Sequence, residues 1–267
     1  KIYRDKVPNL AENIRFISKE LGDRNFYRAW EADALRDLGI LSKNPWVLGS
    51  GCVDKVFLDS EREYTRIVSL GGNGRYEVTG LAVHDVIYRL NDKAKMAVGK
   101  STGFCLVSLP QYYEHGLCDR ALHFKYLRDM LQILATHFSR VVVSLHPKMA
   151  PQDYDWVSDL GNAEISKENL EILIPAASFF VATYSSTVAW AVMCDLPVAL
   201  VDHIGLAYED FYSEFNLPVH YSNQSLDSYL KDQAFARSFA GYDVSLKQRL
   251  SPFDGNCVQR IETEILE

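Results

Sequence analysis

Val141-Val142-Val143-Ser144-Leu145-His146-Pro147 is the stretch whose reading decides the fold. An apolar, β-branched run that stops on a histidine and a proline reads as a buried strand of a parallel sheet, because a strand covered on both faces is apolar throughout. In open α/β sheets, ligands sit outside the carboxyl ends of the strands. His146 therefore stands where such a fold keeps its chemistry, and Pro147 biases it to an extended backbone. The pattern recurs downstream. Phe179-Phe180-Val181-Ala182-Thr183 is a second apolar run, and Tyr184-Ser185-Ser186-Thr187 follows it at the start of a helical stretch. An imidazole at one strand end and hydroxyls at another suggest an anion site, since unpaired N–H groups and hydroxyl donors gather at such helix starts.

Outward from these runs, strands and helices alternate. Phe104–Leu109 reads as a strand and Ala121–Phe138 as a helix, with an apolar stripe of Leu122, Leu127, Met130, Leu131 and Leu134. Helices are expected at Gln152–Leu160, Leu170–Ala177 and Thr187–Cys194, and a strand at Pro197–Val201. The chain then reads as helical to Leu250, and Asp254-Gly255-Asn256 opens a last helix, Cys257–Leu266. Such alternation predicts a parallel sheet with helices on both faces. The N-terminal part offers helical patterns at Asn9–Ile17 and Glu31–Leu38 and short strands at Trp46–Leu48 and Val53–Leu58. Next come a helix Glu61–Leu70 capped by Asp59 or Ser60, a strand Tyr76–Gly80 and a short helix His84–Leu90. The polar, Lys-rich stretch Asn91–Lys100 reads as a linker. The expected fold class is α/β, with a small N-terminal domain over 1–95 and a Rossmann-like domain over 96–267.

Composition narrows the function. With 267 residues, 48% hydrophobic and 24% charged, the chain is an ordinary globular protein of one or two domains. A net charge of −7 argues against a general nucleic-acid binder, which needs a basic face to displace counterions. No apolar run reaches the roughly 18–20 residues of a membrane span, and neither a signal peptide nor a lipidation motif opens the chain. The five cysteines are scattered without a CxxC, as reduced thiols of a cytoplasmic protein would be. No Cys/His pair has ligand spacing and no DxD-like motif stands at a strand end, so no metal is expected. Dinucleotide and Walker-type glycine motifs are absent too.

Three further segments could carry chemistry. Gln111-Tyr112-Tyr113-Glu114-His115-Gly116 follows the strand Phe104–Leu109, where Glu114 could act as a general base and His115 could bind a leaving phosphate. Asp254-Gly255, before the last helix, could approach a ligand or merely cap. Asp202-His203 ends another strand and could face the same crevice.

At these residues the chain resembles sugar-nucleotide enzymes of the two-Rossmann-domain GT-B type, over the stretch from Gly80 to the C-terminus. Ser144–Pro147 is similar to the His-Pro motif of bacterial sialyltransferases, polysialyltransferases and related capsule or lipopolysaccharide glycosyltransferases, and Tyr184–Thr187 to their Ser-Ser/Thr motif. The tail Ser251–Ile261 is similar to the Asp-Gly segment of UDP-N-acetylglucosamine 2-epimerases, which share the fold, and Tyr76–Leu90 to the Val-Thr-Gly joint closing the first domain in both groups. The resemblance implies that His146, Ser185 and Ser186 hold the nucleotide phosphates, and Pro147, Thr187, Gln111, His115, Gly116, Asp254 and Gly255 are expected to contribute to the same nucleotide site.

It implies a metal-independent glycosyltransferase without a cofactor, its partners a CMP- or UDP-linked sugar and a glycan or glycolipid acceptor. A peripheral membrane contact is compatible with a glycolipid. Two departures stand out. The sialyltransferases' acidic-acidic-Gly motif of the first domain is represented only by Glu114-His115-Gly116 in the second, and Leu109-Pro110-Gln111 replaces the epimerases' His-Arg pair. A first domain of about ninety residues is also shorter than the usual ~100–200, which points to a trimmed or incomplete acceptor domain. The alternatives are a sugar-nucleotide epimerase, a glycerophosphotransferase-like enzyme, or a catalytically silent nucleotide-binding module.

Overall fold

A computed structural model describes Leu48 and residues 54–72, 74–96, 103–208, 211–232 and 239–266. The helices read at Asn9–Ile17 and Glu31–Leu38 lie outside the described residues, as does the strand at Trp46–Leu48 apart from Leu48, an exposed turn residue. The chain divides into two compact units. One comprises Lys1–Leu81, Arg249–Pro252 and Cys257–Glu267, and the other Ala82–Gln248 with Phe253–Asn256.

In the first unit, β1 (Val56–Leu58) pairs in parallel with β2 (Tyr76–Val78), and α1 (Glu61–Ser69) connects them. Ser60 caps α1, its Oγ accepting from the Glu63 N–H at 3.0 Å. Leu58 and Ile67 are buried together under Val56, Tyr76 and Val78. The C-terminal helix Cys257–Leu266 belongs to this unit rather than to the Rossmann-like one. Lys55 Nζ reaches Glu264 Oε2 at 2.6 Å, and Arg260 Nε donates to the Thr79 carbonyl at 3.0 Å.

Gly80 is required at this junction. Its φ is +76°, and a Cβ there would overlap Cys257 Sγ and lie 3.1 Å from Ser251 Oγ. Left-handed backbone and overpacking each cost about 1–3 kcal/mol. Gly80→Ala should therefore destabilise the protein by about 3 kcal/mol in urea unfolding, with partial recovery in Gly80→Ala/Cys257→Ala, where the sulfur is gone. An unfolding midpoint equal to that of the wild type would contradict this packing.

The second unit starts with α2 (Ala82–Met96), which runs through most of the stretch read as a linker. His84, Ile87 and Asn91 are buried at helical spacing, so polar residues occupy part of the buried face and mask its helical periodicity. A six-stranded, all-parallel sheet follows. Its strands are β3 (Cys105–Ser108), β4 (Val141–Ser144), β5 (Ala163–Ile165), β6 (Phe179–Ala182), β7 (Val198–Val201) and β8 (Val219–His220), in the spatial order β5-β4-β3-β6-β7-β8. Numbered from its own first strand, this is 3-2-1-4-5-6, the Rossmann order, with the topological switch point between β3 and β6.

Strands β4, β6 and β7 are buried at every position, which is why they read as unbroken apolar runs. Helix α3 (Arg120–His137) is capped by Asp119 and buries Leu127, Met130, Leu131 and Leu134 in the core of the sheet, whereas Leu122 of the expected stripe is exposed. The segment Pro151–Leu160 is a 3-10 helix rather than an α-helix, and its buried Tyr154 and Val157 match three residues per turn. Helices α4 (Leu170–Leu173), α5 (Thr187–Met193) and α6 (Asn223–Asp232) also lie in this unit, as does α7 (Val244–Leu250) up to Gln248. The stretch after Val201, expected to be helical, contains β8, which pairs with β7. No helix among the described residues is long and apolar enough to cross a membrane.

Candidate functional site

Register places the candidate residues. Ser108 of β3 lies level with Ser144 of β4, and Val107 with Val181 of β6. The chain therefore leaves β4, β3 and β6 at one height, toward His146, Gln111–Gly116 and Ser185–Thr187 respectively. The outer two exits are two strand spacings apart, roughly 10 Å. The structure thus brings three of the sequence-read segments to one edge of the sheet, at its switch point.

His146-Pro147-Lys148-Met149 is a turn closed by the Met149 N–H on the His146 carbonyl at 2.8 Å. Pro147 presets the backbone at the second position, and the buried Met149 anchors the turn to the core. The His146 ring is exposed, and its Nδ1 accepts from the Lys148 N–H at 3.2 Å. With Nδ1 an acceptor, the neutral ring carries its proton on Nε2, a donor that can point to a ligand oxygen.

On the other flank, Ser185 Oγ lies 2.9 Å from Thr187 Oγ1 and accepts from the Thr187 N–H at 3.3 Å. Ser186 is exposed and its side chain makes no capping hydrogen bond, so its hydroxyl stays available. Helix α5 has only 7 residues. Its dipole is correspondingly small, and the hydroxyls are the principal donors here.

The loop after β3 is held from below. Tyr112, 2% exposed, donates to the Val201 carbonyl at 3.2 Å and lies 3.3 Å from Thr183 Oγ1. It thus ties the β3 loop to the ends of β6 and β7, and burial pushes its phenol up to about 12. Gly116 turns with φ +66°, and its N–H donates to the Tyr113 carbonyl at 2.8 Å. His115 is exposed, while Gln111 buries an Nε2 without a hydrogen-bond partner.

Glu114 is set differently from a free base. Its Oε1 accepts from the Tyr154 hydroxyl at 2.9 Å, and its buried Oε2 lies 3.9 Å from Nε2 of His123. Burial lowers the pKa of His123 and raises that of Tyr154, so the three form a buried network in which Tyr154 is a donor and His123 is neutral at pH 7.

Asp202 is 1% exposed and accepts from the Leu206 and Ala207 N–H groups and from the Tyr184 hydroxyl. His203 is buried and stacks on Tyr126 with centroids 5.1 Å apart. Asp254 accepts from the Asn256 N–H at 3.1 Å. Gly255, φ +80°, lets the backbone approach Tyr88 of α2, where a Cβ would fall 2.9 Å from the ring. These two residues build the turn into the C-terminal helix. Tyr112 and Tyr184 stand inside motifs legible in the sequence but carry no role of their own there, and Tyr154 and His123 stand in none, because each acts through partners remote in the chain. Among the described residues, no group of three or more His, Cys, Asp or Glu side chains is placed to hold a metal ion. The described cysteines, Cys105, Cys118, Cys194 and Cys257, are free thiols.

No protein-family model matches the chain, and no curated protein matches it. Solved structures do. The wall teichoic acid polymerase TagF matches with TM-score 0.54 at 13% identity, over 91% of this chain and 62% of that one. A histidine-to-asparagine variant of TagF gives 0.54 at 15% identity, over 79% and 57%. A variant soaked with CDPG gives 0.51 at 13%, over 91% and 61%. The chain thus spans about three fifths of the TagF chains it matches. At these identities the likeness speaks for the fold, which is α/β with a Rossmann-type parallel sheet and GT-B-like.

Proposed function

We propose that this chain is the nucleotide-binding part of a metal-independent transferase of surface-polymer assembly, moving a glycosyl group from a nucleotide-linked donor to a glycan or glycolipid acceptor. The observation that carries the reading is the exit of His146 and Ser185–Thr187 from level strand ends on either side of β3. In the transfer, the bond between the sugar carbon and the donor phosphate oxygen breaks, and its electron pair stays on that oxygen. The acceptor hydroxyl oxygen forms the new bond and gives its proton to the Glu114 carboxylate, whose Oε1 has a second lone pair beside the one that accepts from the Tyr154 hydroxyl. His146 Nε2–H and the hydroxyls of Ser185, Ser186 and Thr187 stabilise the charge growing on the phosphate. Pro147, Gln111, His115 and Gly116 shape the walls, and Asp254 and Gly255 join the set on the motif resemblance.

The likeness to TagF favours a second reading within the same site: transfer of a phosphate-linked unit, as in a glycerophosphotransferase-like polymerase. In that case attack falls on phosphorus and the same groups neutralise the leaving nucleotide. The CDPG soak of TagF adds CDP-linked donors to the CMP- and UDP-linked ones. Calorimetry and thermal shift with CMP, CDP and UDP test the common core. Binding of at least one, with a raised melting temperature and a weakened affinity in Ser186→Ala, is expected, because a ligand that binds only the folded form stabilises it. Indifference to all three nucleotides would remove the reading.

A further inference from the structure

We propose that Asp202 and Tyr184 are a positioning pair that fixes the Ser185–Thr187 turn for its ligand, an inference that rests on reading this turn as a phosphate contact. Asp202 directly follows β7, and Tyr184 stands two residues beyond β6, immediately before Ser185. The two strands are neighbours in the sheet. Asp202 Oδ2 accepts from the Tyr184 hydroxyl at 3.1 Å and from the Ala207 N–H at 2.9 Å, and Oδ1 from the Leu206 N–H at 2.9 Å. A carboxylate this deeply buried is tolerated because it is so fully hydrogen-bonded.

One carboxylate therefore governs two segments. It holds Ala207 in the left-handed region, φ +52°, where a non-glycine residue stays only if its surroundings over-determine it. It also fixes the direction in which the chain leaves β6, because the Tyr184 ring is further gripped edge-on by Tyr208 and Phe211, with centroids 5.0 and 5.4 Å away. Burial and the neighbouring Asp202 raise the pKa of the Tyr184 hydroxyl well above its usual value, which keeps it a proton donor. With Tyr184 locked, Ser185 Oγ is presented to the Thr187 N–H and the hydroxyl turn is preformed. The pair acts through Ser185 and not on the ligand.

The test is a double-mutant cycle on nucleotide affinity, read by calorimetry with CMP, CDP and UDP. Tyr184→Phe keeps the ring contacts and removes the hydroxyl, and it should weaken the tightest nucleotide about fivefold to tenfold, the weight of one hydrogen bond. In a Ser185→Ala background the same change should cost less than twofold, because coupled residues are not additive. A protein merely loosened by Tyr184→Phe would instead lose the same factor in both backgrounds, and that additivity overturns the positioning role. So would an unchanged affinity in Tyr184→Phe. If Ser185→Ala alone leaves affinity untouched, the phosphate reading of the turn falls and this inference with it. Should Tyr184→Phe not fold, Asp202→Asn enters the same cycle with the same outcomes.

Discussion

His146→Ala should lower donor turnover on the order of a hundredfold while leaving the fold intact. The ring is exposed beyond β4, so its removal creates no cavity, and surface substitutions away from special features change stability by roughly 0.5 kcal/mol or less. Under the proposed function, the loss falls on the reaction. A preorganised donor aimed at developing phosphate charge is worth about 10²–10³ in rate. The two amide substitutions separate the ring's roles. Asn places its amide near the position of Nδ1, which accepts from the Lys148 N–H, whereas Gln reaches toward Nε2. His146→Gln should therefore keep more turnover than His146→Asn, even though Asn better preserves the turn. The measurement is nucleotide release from whichever CMP-, CDP- or UDP-linked donor the wild type consumes. Wild-type rates in His146→Ala would refute the assignment, whatever the nucleotide affinity.

Acidification should destabilise the protein well before its carboxylates protonate. Burial lowers the pKa of His84 and of His220 from 6.5 to about 4. Above pH 6.5 each is neutral in both folded and unfolded chains, and stability is at its plateau. Below pH 6.5 the unfolded chain takes up the proton and the folded one does not, so stability falls with pH until the folded groups also protonate near pH 4. Each group can remove about 3 kcal/mol across that window, a large share of the roughly 5–15 kcal/mol of a typical domain. Burial shifts His123 and His203 in the same direction. Urea unfolding at pH 7, 6 and 5 should show a steady loss, shallower in His220→Asn. That variant keeps a partner for Ser225, which lies 3.0 Å from His220 Nδ1, but cannot titrate. Equal stability at pH 7 and pH 5 would rule out the buried neutral histidines as the cause.

What was legible in the chain follows from how each element is stabilised. Strands β4, β6 and β7 read directly, because burial on both faces demands apolar side chains at every position. Helix α3 read directly through Leu127, Met130, Leu131 and Leu134. The sheet's edge strands did not. Ala163–Ile165 and Val219–His220 are three and two residues long, and neighbouring backbone, not composition, makes them strands. The segment Asn91–Met96 looked like a linker because its buried face is carried by Asn91, a polar residue at a helical position.

The amino-acid sequence by itself determined the alternating α/β architecture and the strand ends at which His146 and Ser185–Thr187 stand, since apolar runs and the breakers that stop them are local properties. Only the tertiary structure decided that those ends flank β3 at one edge, because parallel strands are joined by long crossovers whose spatial order no local pattern encodes. It likewise decided the settings of Tyr112, Glu114 and Asp202. Their hydrogen bonds reach Val201, Tyr154 and Tyr184, partners that the folded sheet alone makes neighbours.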